Sequence, residues 1–244
     1  MGVFFWKGIA IRLQVFLAKR GIGSRRHCEI LIRQGRVQLN GTVVREMGVQ
    51  IDPTTDTVLV DSQQIPQEER PVAIAFHKPA GVVSTSRISR EGAPAITDLI
   101  DLPYRLYPAG RLDKDSTGLI ILTNNGDLAL RITHPRYEKE KEYLVTVQKP
   151  LTSRDVEKLR RGVELEDGFA QPVSVTLHMD GSVTMVVAEG RKRLIRRMIK
   201  AIRNRVLTLH RIRVGAVRLG DLQPGTWRQL SEQEIQSFQD ITKQ

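Results

Sequence analysis

At 244 residues, 40% of them apolar, the chain is long enough to bury a real core and to form one large domain plus a small one. Its formal charge of +11 calls for an anionic partner, of which nucleic acid is the commonest for dispersed Lys and Arg. No run approaches the ~18 apolar residues of a membrane span, and the single Cys28 excludes disulfides within the chain and a metal site built on several thiolates. The cytoplasm fits this composition.

The apolar start, Gly2 to Trp6, is broken by Lys7 and Arg12 and lacks a basic stretch ahead of it or a small-residue cleavage site. It reads as a short extension, neither signal peptide nor span. From Arg12 to Ile65 the pattern is helix, turn, helix, hairpin. Leu13, Phe16 and Leu17 share one helical face, Gly21-Ile22-Gly23 stops that helix, and Ser24 caps a second whose apolar positions are Cys28, Leu31 and Ile32. Gly21-x-Gly23 follows a helix rather than a strand and has no third glycine, so it is not a dinucleotide loop. Asn40-Gly41 between Val37–Leu39 and Thr42–Val44 is a strong hairpin signal, because both central residues must take positive φ. Lys19, Arg20, Arg25, Arg26, Arg33 and Arg36 cluster around the helix junction as one concentrated basic surface, suited to gripping RNA.

The polar stretch from Asp61 to Pro71, with Pro66 and Pro71, marks a domain boundary, giving units of 12–65 and 72–240. From Val72 short strands alternate with helices, an α+β pattern: Val72–Phe76, the turn Lys78-Pro79-Ala80-Gly81, Val82-Val83 and a strand pair around Gly110–Thr123. Asp127 caps a short helix through Arg131, Tyr143–Val147 alternates as a strand, and Ser231-Glu232-Gln233-Glu234 is a capping box opening a last helix. His27, His77, His134, His178 and His210 are scattered without ligand spacing, so no metal site is expected.

Two segments carry chemistry. In Gly110-Arg111-Leu112-Asp113, extended backbone would place Arg111 and Asp113 on one face and bury Leu112 on the other. A guanidinium beside a carboxylate favours the charged form and holds its geometry, the condition for a nucleophile or base. Residues 191 to about 205 read as an amphipathic helix: Leu194, Ile195, Met198 and Ile202 share one arc, and Arg193, Arg196, Arg197, Lys200 and Arg203 the opposite one. Those cations repel one another unless something anionic, such as RNA phosphate with Asp113 near one arginine, neutralises them.

The order Gly110-Arg111-Leu112-Asp113-Lys114-Asp115-Ser116-Thr117-Gly118-Leu119, then an apolar strand and Thr123-Asn124-Asn125-Gly126-Asp127, resembles the catalytic motif of bacterial ribosomal RNA pseudouridine synthases of the RsuA/RluB type. Lys141-Glu142-Tyr143 is similar to the family's Lys-x-Tyr segment, and Glu189-Gly190-Arg191-Lys192-Arg193 through Met198 to its third motif. Gly21-Ile22-Gly23-Ser24-Arg25-Arg26 and Gly35 to Gly41 resemble the S4 RNA-binding domain. The resemblance implies an α+β fold: a small S4-like helix-helix-hairpin domain, and a larger pseudouridine-synthase domain with a mixed, mainly antiparallel central sheet.

By the same resemblance the catalytic set is Asp113, Tyr143 stacking on the base and Arg196 pairing with the aspartate. Leu209, in Leu209-His210-Arg211-Ile212-Arg213-Val214-Gly215, is the apolar floor of the pocket. Arg111, Lys141, Arg193, Arg197 and Lys200 join Lys19, Arg20, Arg25, Arg26 and Arg36 in binding RNA. Where this chain has Leu194-Ile195 the family usually has Gln followed by Val, a departure that bears on any hydrogen bond of that amide and not on the aspartate chemistry.

The implied reaction breaks the glycosidic bond of a flipped-out uridine and rejoins the base through carbon 5. It needs no cofactor. The implied substrate is ribosomal RNA or a ribosomal-subunit assembly intermediate, acted on by a monomer. Arg191-Lys192-Arg193, Gly21 to Arg26 and Gly162-Val163-Glu164-Leu165-Glu166-Asp167-Gly168 resemble the large-subunit branch. The alternatives are the same reaction on small-subunit RNA, or a noncatalytic RNA-binding or ribosome-assembly factor, against which the intact Asp113 argues.

Overall fold

The computed structural model describes residues 10–66, 69–85 and 92–239, in two compact units, 1–70 and 71–244. The apolar segment read as an N-terminal extension lies outside the described residues. The first unit comprises β1 (Ile11–Arg12), α1 (Leu13–Lys19), α2 (Arg25–Arg33), β2 (Val37–Leu39), β3 (Thr42–Val44), β4 (Gln50–Ile51), β5 (Val58–Val60) and β6 (Gln63–Gln64). Leu13, Phe16 and Leu17 of α1 pack on Cys28, Leu31 and Ile32 of α2. Ser24 Oγ accepts from His27 N at 3.1 Å and caps α2. Asn40 (φ +50°) and Gly41 (φ +81°) turn the β2–β3 hairpin. The antiparallel sheet runs β3-β2-β5-β6, so it extends into the polar stretch that begins at Asp61.

The second unit contains β7 (Ala73–Lys78), β8 (Tyr107–Ala109), β9 (Thr117–Thr123), α3 (Gly126–Thr133), β10 (Lys141–Val147), α4 (Ser153–Arg161), β11 (Val163–Leu165) and β12 (Gly168–Ala170). It continues with β13 (Ser174–Leu177), β14 (Val183–Val187), α5 (Leu194–Ala201), β15 (Val206–Val214), β16 (Val217–Arg218), β17 (Trp227–Gln229) and α6 (Glu232–Gln239). Nine strands form one sheet, with order β13-β14-β10-β15-β9-β7-β17 and β8 and β16 on its flanks. Among the described strands only β9 and β15 pair in parallel. Strand β9 is an unbroken apolar run because both its faces are covered: Leu119 and Ile121 pack with Leu128, Ile132 and Phe238 of α3 and α6, whereas Ile120 and Leu122 pack with Val82, Ile96 and Leu112. Beyond β15, Leu159 of α4 and Met198 and Ile199 of α5 cover Val145, Val183 and Met185.

Several local expectations are corrected. Residues 111–113 form a loop rather than a strand, since the chain bends at Gly110 (φ +94°) and again in the Lys114–Asp115 turn. Val82-Val83 contributes only an isolated bridge, Val83 to Ala95. Helix α3 is capped by Asn125, whose side chain accepts from Asp127 N and Leu128 N, and not by Asp127. Helix α5 is shorter than 191–205: Arg193 is left-handed (φ +53°) and cannot begin it, and the chain leaves it at Ile202 before a left-handed Arg203 (φ +61°).

Candidate active site

The loop from Gly110 to Ser116 joins β8 to β9, and five groups fix it. Leu112 is buried in the core. Ser84 Oγ donates to Leu112 O (2.8 Å) and accepts from Leu112 N (3.0 Å), holding both peptide groups beside Asp113. The Lys78 ammonium is fully buried and donates to Pro79 O, Lys114 O and Ser116 O (2.9, 3.2 and 2.7 Å). Burial pushes it down to about 8, against the pull of Asp115 and Asp113. Gly81 N also donates to Lys114 O, and Ser116 N to Asp113 O. The Asp113 backbone is therefore anchored on both sides.

The guanidiniums beside Asp113 come from the α5 end of the chain. Arg193 Nη1 lies 3.5 Å and Arg196 Nε 3.8 Å from Asp113 Oδ2. Arg196 is the buried partner, 13% exposed against 47% for Arg193. Its Nη2 donates to Ser116 Oγ at 3.3 Å, while its buried Nε lacks a hydrogen-bond partner. Burial and the charge of Arg193 lower Arg196 from its ordinary value, and Asp113 and Asp115 oppose this. Arg111, expected beside the carboxylate, is exposed and lines the same cavity, but forms no ion pair with it among the described residues.

Asp113 opens into a cavity of about 570 Å³ whose floor is laid by two adjacent strands, Lys141 and Tyr143 from β10 and Leu209 and Arg211 from β15. Arg211 is 4% exposed. It donates from Nε to Leu119 O (2.6 Å) and from Nη1 to Arg111 O and Tyr143 Oη (both 3.4 Å), and its guanidinium lies 5.9 Å from the Tyr143 ring centre. Burial, then the charge of Arg211, pushes Lys141 down to about 8.

The other expected RNA-binding cations are differently placed. Arg197 forms a bidentate pair with Asp167 (2.7 and 2.9 Å), so three cations of the α5 arc face carboxylates within the protein, Arg197 on Asp167 and Arg193 and Arg196 on Asp113. Arg191 pairs with the same Asp167 and with Glu189. Lys200 is exposed. In the first unit Arg25, Arg26 and Arg33 are exposed, Arg36 is held by Asp61 (2.7 and 2.6 Å), and half-buried Arg20 lies over Phe16 and donates to Pro66 O. Lys19 is half-buried. Sequence reasoning missed Lys78, Ser84, Arg211 and Asp167. A lysine closing an apolar strand just before Pro79 was the available signal for the first; Asp167 stood inside a motif noted only for its branch resemblance.

Among the described residues no helix is long and apolar enough to cross a membrane, and no group of three or more His, Cys, Asp or Glu could hold a metal ion. An S4 domain matches residues 11–57. The unit that carries the arginine-flanked aspartate in a cationic cavity is matched by the RNA pseudouridylate synthase family, over residues 72–201. The chain is 36% identical over 237 residues to ribosomal large subunit pseudouridine synthase B of Bacillus subtilis (strain 168), covering 94% of this chain and 96% of that one. It is 35% identical over 232 residues to ribosomal small subunit pseudouridine synthase A of Escherichia coli (strain K12), covering 93% and 99%. A crystal structure of a pseudouridylate synthase superposes with a TM-score of 0.68 at 33% identity, covering 93% of this chain and 99% of that one. The chain belongs to the RNA pseudouridylate synthase family, and is an isomerase with an N-terminal S4 domain.

Proposed function

We propose that the protein isomerises a specific uridine of large-subunit ribosomal RNA to pseudouridine, with Asp113 acting on a flipped-out nucleotide. One observation carries this reading: a carboxylate fixed by its loop between Arg193 and Arg196 opens into a cavity whose other walls are Tyr143, Leu209 and unpaired cations. The target base leaves its stack at a cost of a few kcal/mol, offset by phosphate contacts from the exposed cations of both units. Tyr143 stacks on the base and Leu209 supports it. Arg196 holds the carboxylate while it either attacks as a nucleophile or removes the ribose 2′ proton. Residues 12–65 anchor the RNA and 72–240 catalyse. The working form is a cytoplasmic monomer on ribosomal RNA or an assembling subunit.

The near-equal likeness to a large-subunit and a small-subunit enzyme sustains a second reading, the same reaction on small-subunit RNA. Residues 162–168 and 191–193 favour the first. Mapping pseudouridines in both ribosomal RNAs, from cells with and without this protein, tests both. Loss of one site in large-subunit RNA is expected; loss confined to small-subunit RNA would support the second reading, and unchanged maps would refute both.

A further inference from the structure

The charges of the cavity do not balance. It holds two carboxylates, and each already faces guanidinium: Asp113 has Arg193 and Arg196, and Glu189 is held by both arms of Arg191 at 2.7 and 2.8 Å. Two cations of the floor have no carboxylate. Arg211, almost wholly buried, meets only the neutral acceptors Leu119 O, Arg111 O and Tyr143 Oη. The Lys141 ammonium makes no hydrogen bond among the described residues. Its chain neighbours Glu140 and Glu142 cannot serve it, since Arg213 takes both, at 3.0 and 2.5 Å. A desolvated cation with no counter-ion is costly, and a site tolerates one where its ligand brings the negative charge.

Depth decides which part of an RNA ligand that is. The rim cations Arg111, Lys192 and Arg193 are exposed, where a phosphate keeps most of its water. Half-buried Lys141 and buried Arg211 line the cavity from the same paired strands as Tyr143 and Leu209, where a base would sit. We propose that Lys141, backed by Arg211, is a catalytic residue that contacts the carbonyl edge of the flipped uracil and stabilises the anion that leaves the sugar. This rests on the uridine-isomerase assignment above. When the C1′–N1 bond breaks, its electron pair departs with the base and spreads over N1 and the carbonyl oxygens. The base turns, a pair from C5 forms the C5–C1′ bond, C5 releases its proton and N1 takes one up, so nothing is oxidised or reduced. Asp113, being negative, repels this anion; the floor cations are aimed at it, as preorganised charge should be.

The titratable groups that share the cavity with Lys141 are Arg211 across the strand pair, Tyr143 on its own strand, Arg111 and Asp113 on the catalytic loop, and Glu189, Arg191, Lys192 and Arg193 between β14 and α5. Asp113 and Glu189 are occupied, and burial with Arg211 sets the ammonium near 8. The test uses full-length protein with a ribosomal RNA substrate, and measures single-turnover pseudouridine formation, RNA affinity and the pH profile of kcat/KM, which reports the free enzyme. Lys141→Met keeps the stem and removes the charge. It should slow the single-turnover rate about 100-fold while RNA affinity stays within about twofold. Lys141→Arg should stay within about tenfold of wild type and show a shallower fall in kcat/KM above about pH 8 than wild type, because guanidinium keeps its proton there while Lys78 still titrates in both proteins. A Lys141→Met enzyme with wild-type single-turnover rate, a loss confined to RNA affinity, or identical pH profiles for wild type and Lys141→Arg would each overturn the proposal alone. Failure of the wild type to form pseudouridine in any ribosomal RNA would overturn the isomerase assignment with it.

Discussion

Asp113 is positioned by residues of two kinds, and they differ in how well a sequence displays them. Asp113, Tyr143 and Arg196 stand in recognisable motifs; the structure places Asp113 and Tyr143 on one cavity and Arg196 against Asp113, although 83 residues separate that pair (196 − 113). Lys78, Ser84 and Arg211 hold that arrangement through backbone carbonyls and amides. A carbonyl partner leaves no trace in a sequence, because every residue has one. The missing Arg111–Asp113 ion pair has the same root: a period-two reading needs a strand, and the turns on either side of residues 111–113 depend on contacts made elsewhere. Arg196 should act on turnover rather than on binding, since it is largely buried against Asp113 and Ser116 while many other cations remain for RNA. Arg196→Met is expected to lower kcat by roughly 100-fold with RNA affinity within about threefold. Steady-state kinetics with a filter-binding titration checks this, and a loss of affinity without a loss of kcat would place Arg196 on the RNA instead.

Element boundaries were legible wherever a local rule set them. Ser24, Asn40-Gly41 and the Ser231–Glu234 box fall where capping and hairpin chemistry put them. The ends of α5 did not, because its apolar arc continues to Ile202 while Arg193 is drawn into a left-handed conformation beside Asp113. The parallel β9–β15 contact was likewise hidden, although one residue makes it possible. Gly118 has φ +105°, and a Cβ there would lie 2.3 Å from Arg211 O and 2.6 Å from Arg211 N. Both objections are to backbone, which cannot step aside without separating the strands. Gly118→Ala should therefore cost more than about 3 kcal/mol and displace Arg211 from the cavity floor. Urea unfolding measures it as a lower midpoint; an unchanged midpoint would mean the strands yield more easily than their pairing implies.

Across the whole molecule, a +11 charge is divided between cations that the protein itself neutralises and cations it leaves to a partner. Arg36, Arg197, Arg191 and Arg213 have carboxylates. Arg25, Arg26 and Arg33 on the S4 unit are exposed. Neutralising these three as Arg→Gln in the full chain should weaken RNA binding and flatten log affinity against log salt by about 2 units, with pseudouridine formation at saturating RNA unchanged. A salt series of binding titrations reads this directly; an unchanged slope would leave recognition to the catalytic unit. Composition announced the anionic partner, but not which cations are free, because that depends on carboxylates such as Asp61 and Asp167 brought in by the fold.

The central assignment is that the whole chain rearranges uridine through Asp113. Release of tritium from ribosomal RNA labelled at uridine C5 follows that chemistry directly, since forming the C5–C1′ bond expels the C5 hydrogen. Wild-type protein should release tritium until its target nucleotide is converted. Asp113→Asn should melt with the wild type and bind the same RNA equally well, yet release none, because the amide keeps the shape and lacks the charge. Tritium release by a verified Asp113→Asn protein at the wild-type rate would contradict the assignment.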